Sequence, residues 1–368
     1  MSDIPQLPSK PMPYVRLGKS GLKVSRVILG CMSYGADWAD WLLDEEEAIK
    51  HIKYAYDAGI QTFDTANVYS NGYSEVILGR AIKQLGLPRE EIVVMTKFAG
   101  VVCKDRGQKV FNPPVTEQGE MRIVNQWGMS RKHIFDAVKQ SLERLQLGYI
   151  DVLQCHRADW DTPFEETVSD ALFLLVPPLQ QGAQMQALHD VVKAGLVRYI
   201  GMSSCYAWQF HAMQNYAITH NLTPFISMQD HHSLIYREEE REMFPTLKFF
   251  GVSAIPWSPL GRGLLCRPFA KSKETKRGET DWFQKNYDSP AIEKIVNRVE
   301  GVAKKLGVSM AQVAIAWELS KDVVAAPIIG TTNLLNLRDI CEGVHLKLTD
   351  EDIKYLEEPY QPTNIIGH

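Results

Sequence analysis

The chain has 368 residues, 45% of them apolar, which is enough to bury the core of one large α/β barrel or of two ordinary domains. A formal net charge of −4 leaves no basic footprint, so nucleic acid is not an expected partner, and no run of eighteen apolar residues marks a membrane span. Six scattered cysteines without a C-x-x-C pair indicate neither a disulfide framework nor a zinc knuckle; buried thiols in a reducing compartment are expected.

Residues 1–12 are Pro-rich and polar and read as a disordered leader on a soluble, cytoplasmic protein. "YVRLGKSGLKVSRVILG" gives a hairpin around Gly18–Gly21 and then a buried strand near Val27–Cys31. Its "GKS" is not a phosphate loop, because Pro13 stands where that motif needs its leading glycine. Asp44 and Glu47 form a capping-box pattern for a helix that Gly59 closes. The next stretch, "GIQTFDTANVYSNGYSEVILGRAI", moves from a strand ending at Asp64 through a polar loop into a helix, with Ser74 as the expected cap.

Strand and helix patterns then alternate. Strands are expected near Ile92–Thr96, Tyr149–Cys155, Val197–Met202, Phe225–Gln229, Val252–Pro256 and Val323–Ile328, each followed by helical sequence. Counting the two earlier strands, this predicts a single (β/α)8 TIM barrel over residues 13–362. The hairpin would cap its amino-terminal mouth, and a C-terminal helix and a tail, 363–368, would follow.

One segment breaks the alternation. "VSDALFLLVPPLQQGAQ", Val168–Gln184, carries an apolar run interrupted by Pro177 and Pro178. Without it, Phe164, Thr167, Met185, Leu188, Val191 and Val192 join into one helical stripe. The insert is either a translated intron, since Val-Ser can be written GTGAGT and a terminal Gln CAG, or a genuine family-specific loop lying over the surface.

Four titratable residues fall at consecutive strand ends: Asp64, Lys97, His156 and, in the loop after Asp64, Tyr69. In a barrel these converge on the carboxyl-terminal mouth. The set suits proton delivery to a carbonyl oxygen. A phenol is a weak acid at neutral pH, an adjacent ammonium held charged by a carboxylate makes it a better one, and a histidine beside it can orient the carbonyl. His231 and His232 raise a metal-site reading, but neighbours on a strand face opposite sides, which favours pocket or structural roles. Trp38 and Trp41, in the first strand–helix loop with Tyr34, either wall an aromatic pocket or pack that loop onto the barrel.

Taken in order, "FDTANVYSNGYSEVILG", "VVMTK", "DVLQCHR", "VRYIGMSS", "SMQDHHSLIYRE", "PWSPLGRGLL" and "PIIGTTN" resemble the aldo-keto reductase superfamily, nearest its fungal aryl-alcohol dehydrogenase and versiconal hemiacetal acetate reductase-like members. The resemblance implies NADP(H)-dependent reduction of an aldehyde or ketone, with Tyr69 as proton donor, Lys97 and Asp64 tuning it, and His156 at the substrate carbonyl. It implies a small-molecule partner and no metal. Ser203, Ser204 and Gln229 match the positions that hold the nicotinamide carboxamide, Ser204 replacing a common Asn. Trp257 matches the aromatic platform under the ring. Ser258, Pro259, Leu260, Gly261 and Gly263 match the loop around the pyrophosphate, where glycines permit close backbone approach. Ile329, Gly330, Thr331, Thr332, Asn336, Arg338 and Asp339 match the adenosine-phosphate end, with a helix N-terminus near Asn333 able to receive an anion. There Thr332 and Ile340 replace a common basic residue and a common Asn, leaving Arg338 as the nearby cation. Some members of the superfamily are non-catalytic, nicotinamide-sensing channel β subunits, which is the alternative function.

Overall fold

The computed structural model describes residues 4–35, 39–104, 115–159 and 182–368. An antiparallel hairpin, β1 (Tyr14–Arg16) with β2 (Lys23–Ser25), is followed by β3 (Ile28–Gly30), α1 (Glu45–Asp57), β4 (Thr62–Asp64), α2 (Tyr73–Leu85) and β5 (Val93–Phe98). Next come a short α3 (Val115–Gln118), α4 (Arg131–Leu145), β6 (Ile150–Cys155), α5 (Gly182–Lys193), β7 (Val197–Ser203), α6 (Ala207–Thr219), β8 (Phe225–Gln229), α7 (Met243–Phe250) and β9 (Ser253–Ala254). The described chain continues with α8 (Lys276–Thr280), α9 (Ala291–Leu306), α10 (Met310–Glu318), β10 (Ile328–Ile329), α11 (Leu334–Gly343) and α12 (Asp350–Glu357).

Eight strands form one parallel sheet in the order β10-β3-β4-β5-β6-β7-β8-β9. It closes on itself: Ala254 N donates to Val323 O, Ile328 N donates to Pro256 O, and Trp257 bridges Ile328 in parallel. The fold is therefore the expected (β/α)8 barrel. The last strand is shorter than the sequence suggests, because Pro256 and Pro327 bring no N–H to the ladder where it would have run on.

Strand alternation sets what lies inside the barrel. Ile28, Val93, Met95, Val152, Ile255 and Ala326 form its apolar floor, and Leu17 and Val24 of the hairpin pack into the same cluster. Two residues further along, Asp64, Lys97 and Gln154 stand above that floor as a polar layer. The outward residues Leu29, Phe63, Val94, Leu153 and Ile200 join the larger core beneath the helices. Burying such a side chain contributes on the order of 1.5–3 kcal/mol.

Asp44 caps α1 as expected, its carboxylate accepting from Glu47 N. Ser74 does not cap α2. Ser70, Asn71 and Gly72 all have positive φ, which turns the chain sharply and starts the helix at Tyr73, and Ser74 Oγ instead donates to Cys31 O. Residues 4–12, expected as a disordered leader, run against the helices: Tyr54 donates to Gln6 O, Ser9 N donates to Glu342, and Met12 is buried. On α5, Met185, Leu188 and Val191 are buried as the helical stripe requires. Phe164, Thr167 and most of the anomalous insert lie outside the described residues.

Candidate active site

The four strand-end residues meet at the carboxyl-terminal mouth. Lys97, fully buried, donates from Nζ to Asp64 Oδ2 at 2.6 Å, to Thr65 O at 2.8 Å and to Tyr69 Oη at 3.2 Å. The ring of His156 stands edge-on to that of Tyr69, 5.9 Å between centroids. Asp64 and Lys97 are held on strands. Tyr69 opens the tight turn of residues 69–72, whose Ser70 hydroxyl donates to Tyr34 O and whose Asn71 amide donates to Cys103 O. A loop residue is thus fixed by the two residues that follow it.

Burial alone would push the Lys97 ammonium down, but the Asp64 carboxylate and the Tyr69 hydroxyl hold it above the ordinary lysine value. His156 goes the other way. Its surroundings, with the cations Arg157 and Lys97 adding, hold it well below the usual imidazole range, so it is neutral at physiological pH and can donate a hydrogen bond from one ring nitrogen.

The residues matched to the cofactor lie round the same mouth. Ser203 Oγ donates to Gln229 O, and Ser204, at φ 25°, accepts from Trp257 Nε1. Trp257 stacks on His231, centroids 4.1 Å apart and planes 11° from parallel, and His231 stacks in turn on Tyr236. The indole therefore has a rigid backing. Ser258, Gly261 and Gly263 all have positive φ. A side chain at Gly261 would strike Ile235, whereas a Cβ at Gly263 would meet nothing within 4 Å, which leaves open space beside bare backbone.

The second cluster matched by resemblance to a cofactor is less free than its sequence suggests. Asn333 caps α11, its Oδ1 accepting from Leu335 N and Asn336 N, so those helix N–H groups already have an acceptor. Asp339 accepts from Ser309 and from Gln312 Nε2, tying α11 to α10. Thr332 and Asn336 are exposed, and among the described residues no ion pair involves Arg338.

His231 and His232 do face apart. His231 meets Tyr287 Oη at 2.9 Å, while His232 sits between Glu318 and Glu240. Among the described residues no group of three or more His, Cys, Asp or Glu is placed to hold a metal ion. Trp41 lies under the Arg277 guanidinium, 4.5 Å from its ring centroid, and Tyr34 is fully buried, so these two pack the first loop; Trp38 lies outside the described residues.

Two neighbours of the site escaped the reading of the sequence. Gln154, fully buried, donates to Asp64 Oδ1, and Arg157 reaches His156 O and Ser203 Oγ. Strand parity could have found Gln154, since it follows inward-facing Val152 by two.

A sequence model of the Aldo/keto reductase family matches residues 26–361. A versiconal hemiacetal acetate reductase of Aspergillus parasiticus is 48% identical over 362 residues, covering 96% of this chain and 98% of its own. A Schizosaccharomyces pombe protein named for aryl-alcohol dehydrogenase activity is 48% identical over 368 residues, with 96% and 97% covered. An aldo-keto reductase of Fusarium vanettenii is 43% identical over 365 residues, with 96% and 93% covered.

Proposed function

The chain belongs to the aldo/keto reductase family and is an NAD(P)H-dependent carbonyl oxidoreductase, and we propose that it reduces aromatic aldehydes or ketones with NADPH, Tyr69 giving the proton. One observation carries this reading: a buried ammonium, paired with a buried carboxylate, donates directly to the only tyrosine hydroxyl among the four strand-end groups. Proton transfer from Tyr69 leaves a phenolate, and the hydrogen bond from the Lys97 ammonium at 3.2 Å strengthens as that charge forms. Neutral His156 donates to the same carbonyl oxygen and fixes its approach.

The residues at the mouth suit a nicotinamide dinucleotide. Trp257, backed by His231, offers a flat face for a ring. Ser204 and Gln229 offer polar groups for a carboxamide, and the uncrowded backbone at Gly263 suits a pyrophosphate. When bound, the reduced cofactor supplies the hydride. The apolar floor of Val93, Met95 and Val152 keeps water from reaching the Asp64–Lys97 pair from below. The aromatic substrate class rests on the name of the Schizosaccharomyces pombe relative.

Tyr69→Phe tests the assignment. Turnover of an aromatic aldehyde should fall by about 10²–10⁴, the usual contribution of a positioned acid, while NADPH binding followed by fluorescence titration stays within a few-fold of wild type. An unimpaired variant refutes the role of Tyr69, and a wild type that binds NADPH but turns over no carbonyl favours the sensor-subunit reading.

A further inference from the structure

Asp64 is almost wholly buried, and side chains supply its hydrogen bonds in place of water. Lys97 holds Oδ2, and two neutral amides converge on Oδ1: Gln154 Nε2 at 2.9 Å and Gln229 Nε2 at 2.9 Å. The amides also hold each other, Gln229 Nε2 donating to Gln154 Oε1 at 2.8 Å. Gln154 is 0% exposed and Gln229 2%. Room for Gln154 comes from the next strand, where Gly201 is its register partner and a Cβ would lie 3.3 Å from Gln154 Cγ.

This closed triangle fixes polarity as well as position. Flipping the Gln154 amide would set its oxygen against the carboxylate, so its nitrogen must face Asp64 and its oxygen must face Gln229. Both protons of Gln229 Nε2 are then committed, one to Asp64 and one to Gln154. Its Oε1 receives no donor from the described residues and is the atom left for a ligand N–H at the mouth.

We propose that Gln154 is a positioning residue that sets two groups at once, fixing the carboxylate that holds Lys97 and orienting Gln229 so that Oε1 accepts from the nicotinamide carboxamide. The proposal rests on the reductase reading above. It makes the proton-donating site and the cofactor site share one buried side chain. Replacing Gln154 by an apolar residue withdraws a donor from Asp64 and frees Gln229 to turn, so both sites loosen together. Lys97 depends on Asp64 to offset its own burial, so weakening that contact leaves Lys97 uncharged at a lower pH.

The test uses the full chain with NADPH and an aromatic aldehyde, comparing Gln154→Met, Gln154→Glu and Tyr69→Phe. Gln154→Met should lower kcat about 10-fold, move the alkaline limb of the kcat–pH profile to lower pH, and weaken NADPH binding by about 10-fold in fluorescence titration. Gln154→Glu should be as impaired at pH 8 but recover as pH falls, because a protonated carboxyl can donate to Asp64 and accept from Gln229 as the amide does. Loss of kcat with an unmoved alkaline limb, unchanged NADPH affinity and no recovery of Gln154→Glu at low pH overturns the proposal in favour of a merely structural role. Wild-type behaviour of both Gln154 variants beside an inactive Tyr69→Phe also overturns it while leaving the reductase reading intact. An active Tyr69→Phe strikes the assignment of Tyr69 as proton donor instead.

Discussion

Asp64→Asn separates charge from shape at the centre of the site. The pair it breaks lies at 2.6 Å with side chains 0% and 2% exposed, so screening by solvent is slight. Coulomb attraction at that distance and an effective dielectric near 20 is about 6 kcal/mol gross, and removing one partner of such a buried pair typically leaves a net loss of about 3–5 kcal/mol. An amide also cannot satisfy both sides. Either its nitrogen faces the Lys97 ammonium, or it faces the two glutamine nitrogens that now donate to Oδ1. In the wild type, Lys97 is held above its ordinary value, so its contribution is complete below about pH 10.4 and fades only as pH rises through the higher folded value. In the variant burial prevails and depresses Lys97. The deficit should therefore be full at pH 7 and shrink as pH climbs toward about 10.4, with a slope of up to about 1.4 kcal/mol per pH unit. Urea unfolding of both proteins at pH 7 and pH 10, followed by tryptophan fluorescence, reads the difference. A deficit below about 1 kcal/mol at pH 7, or one indifferent to pH, would show that the pair does not act as an ion pair.

Gly263→Val should weaken NADPH binding at least 10-fold with little change in circular dichroism, because the side chain fills the open backbone face; Gly86→Val, also at positive φ with nothing within 4 Å but on an exposed helix end, should leave binding unchanged. If both variants bind like wild type, the loop does not cradle the cofactor. His232, buried against Glu318 and Glu240, is pushed up to about 9 although burial opposes it, so its stabilisation is complete below the ordinary value near 6.5 and is lost as pH rises through about 9. Wild type should thus lose up to a few kcal/mol relative to His232→Gln over that window in urea titrations, and parallel pH curves would contradict it. Deleting residues 168–184 should raise the thermal midpoint and keep turnover, since Gln184 is fully buried with neither amide atom hydrogen-bonded to a described residue, at a cost of about 1–3 kcal/mol. A deleted chain that fails to fold would mean the insert is an integral part of the barrel.

The barrel was legible because strand parity and helix spacing are local: Val93, Met95 and Lys97 must share a face wherever the strand lies. The four strand-end groups were legible for the same reason, since parallel strands carry their ends to one mouth. What escaped depends on backbone turns and on partners distant in sequence. Three positive-φ residues before α2 moved its start away from Ser74, and the prolines that shorten β10 act through missing donors rather than through hydrophobic pattern. The contacts of Asp339 with Ser309 and Gln312, which tie two helices together, likewise join residues about 30 positions apart.

Gln154 is the sharpest instance, because an inward glutamine in a strand looks like a misplaced polar residue until the two groups it serves, 90 and 75 positions away, are brought beside it. A buried amide with both ends satisfied by residues of the site constrains more than the carboxylate it touches. It sets which way Gln229 faces, and through Gln229 it ties the Asp64–Lys97 pair to the polar groups around Ser203. Local rules therefore position each reacting group, while the coupling between them is written only in contacts between strands.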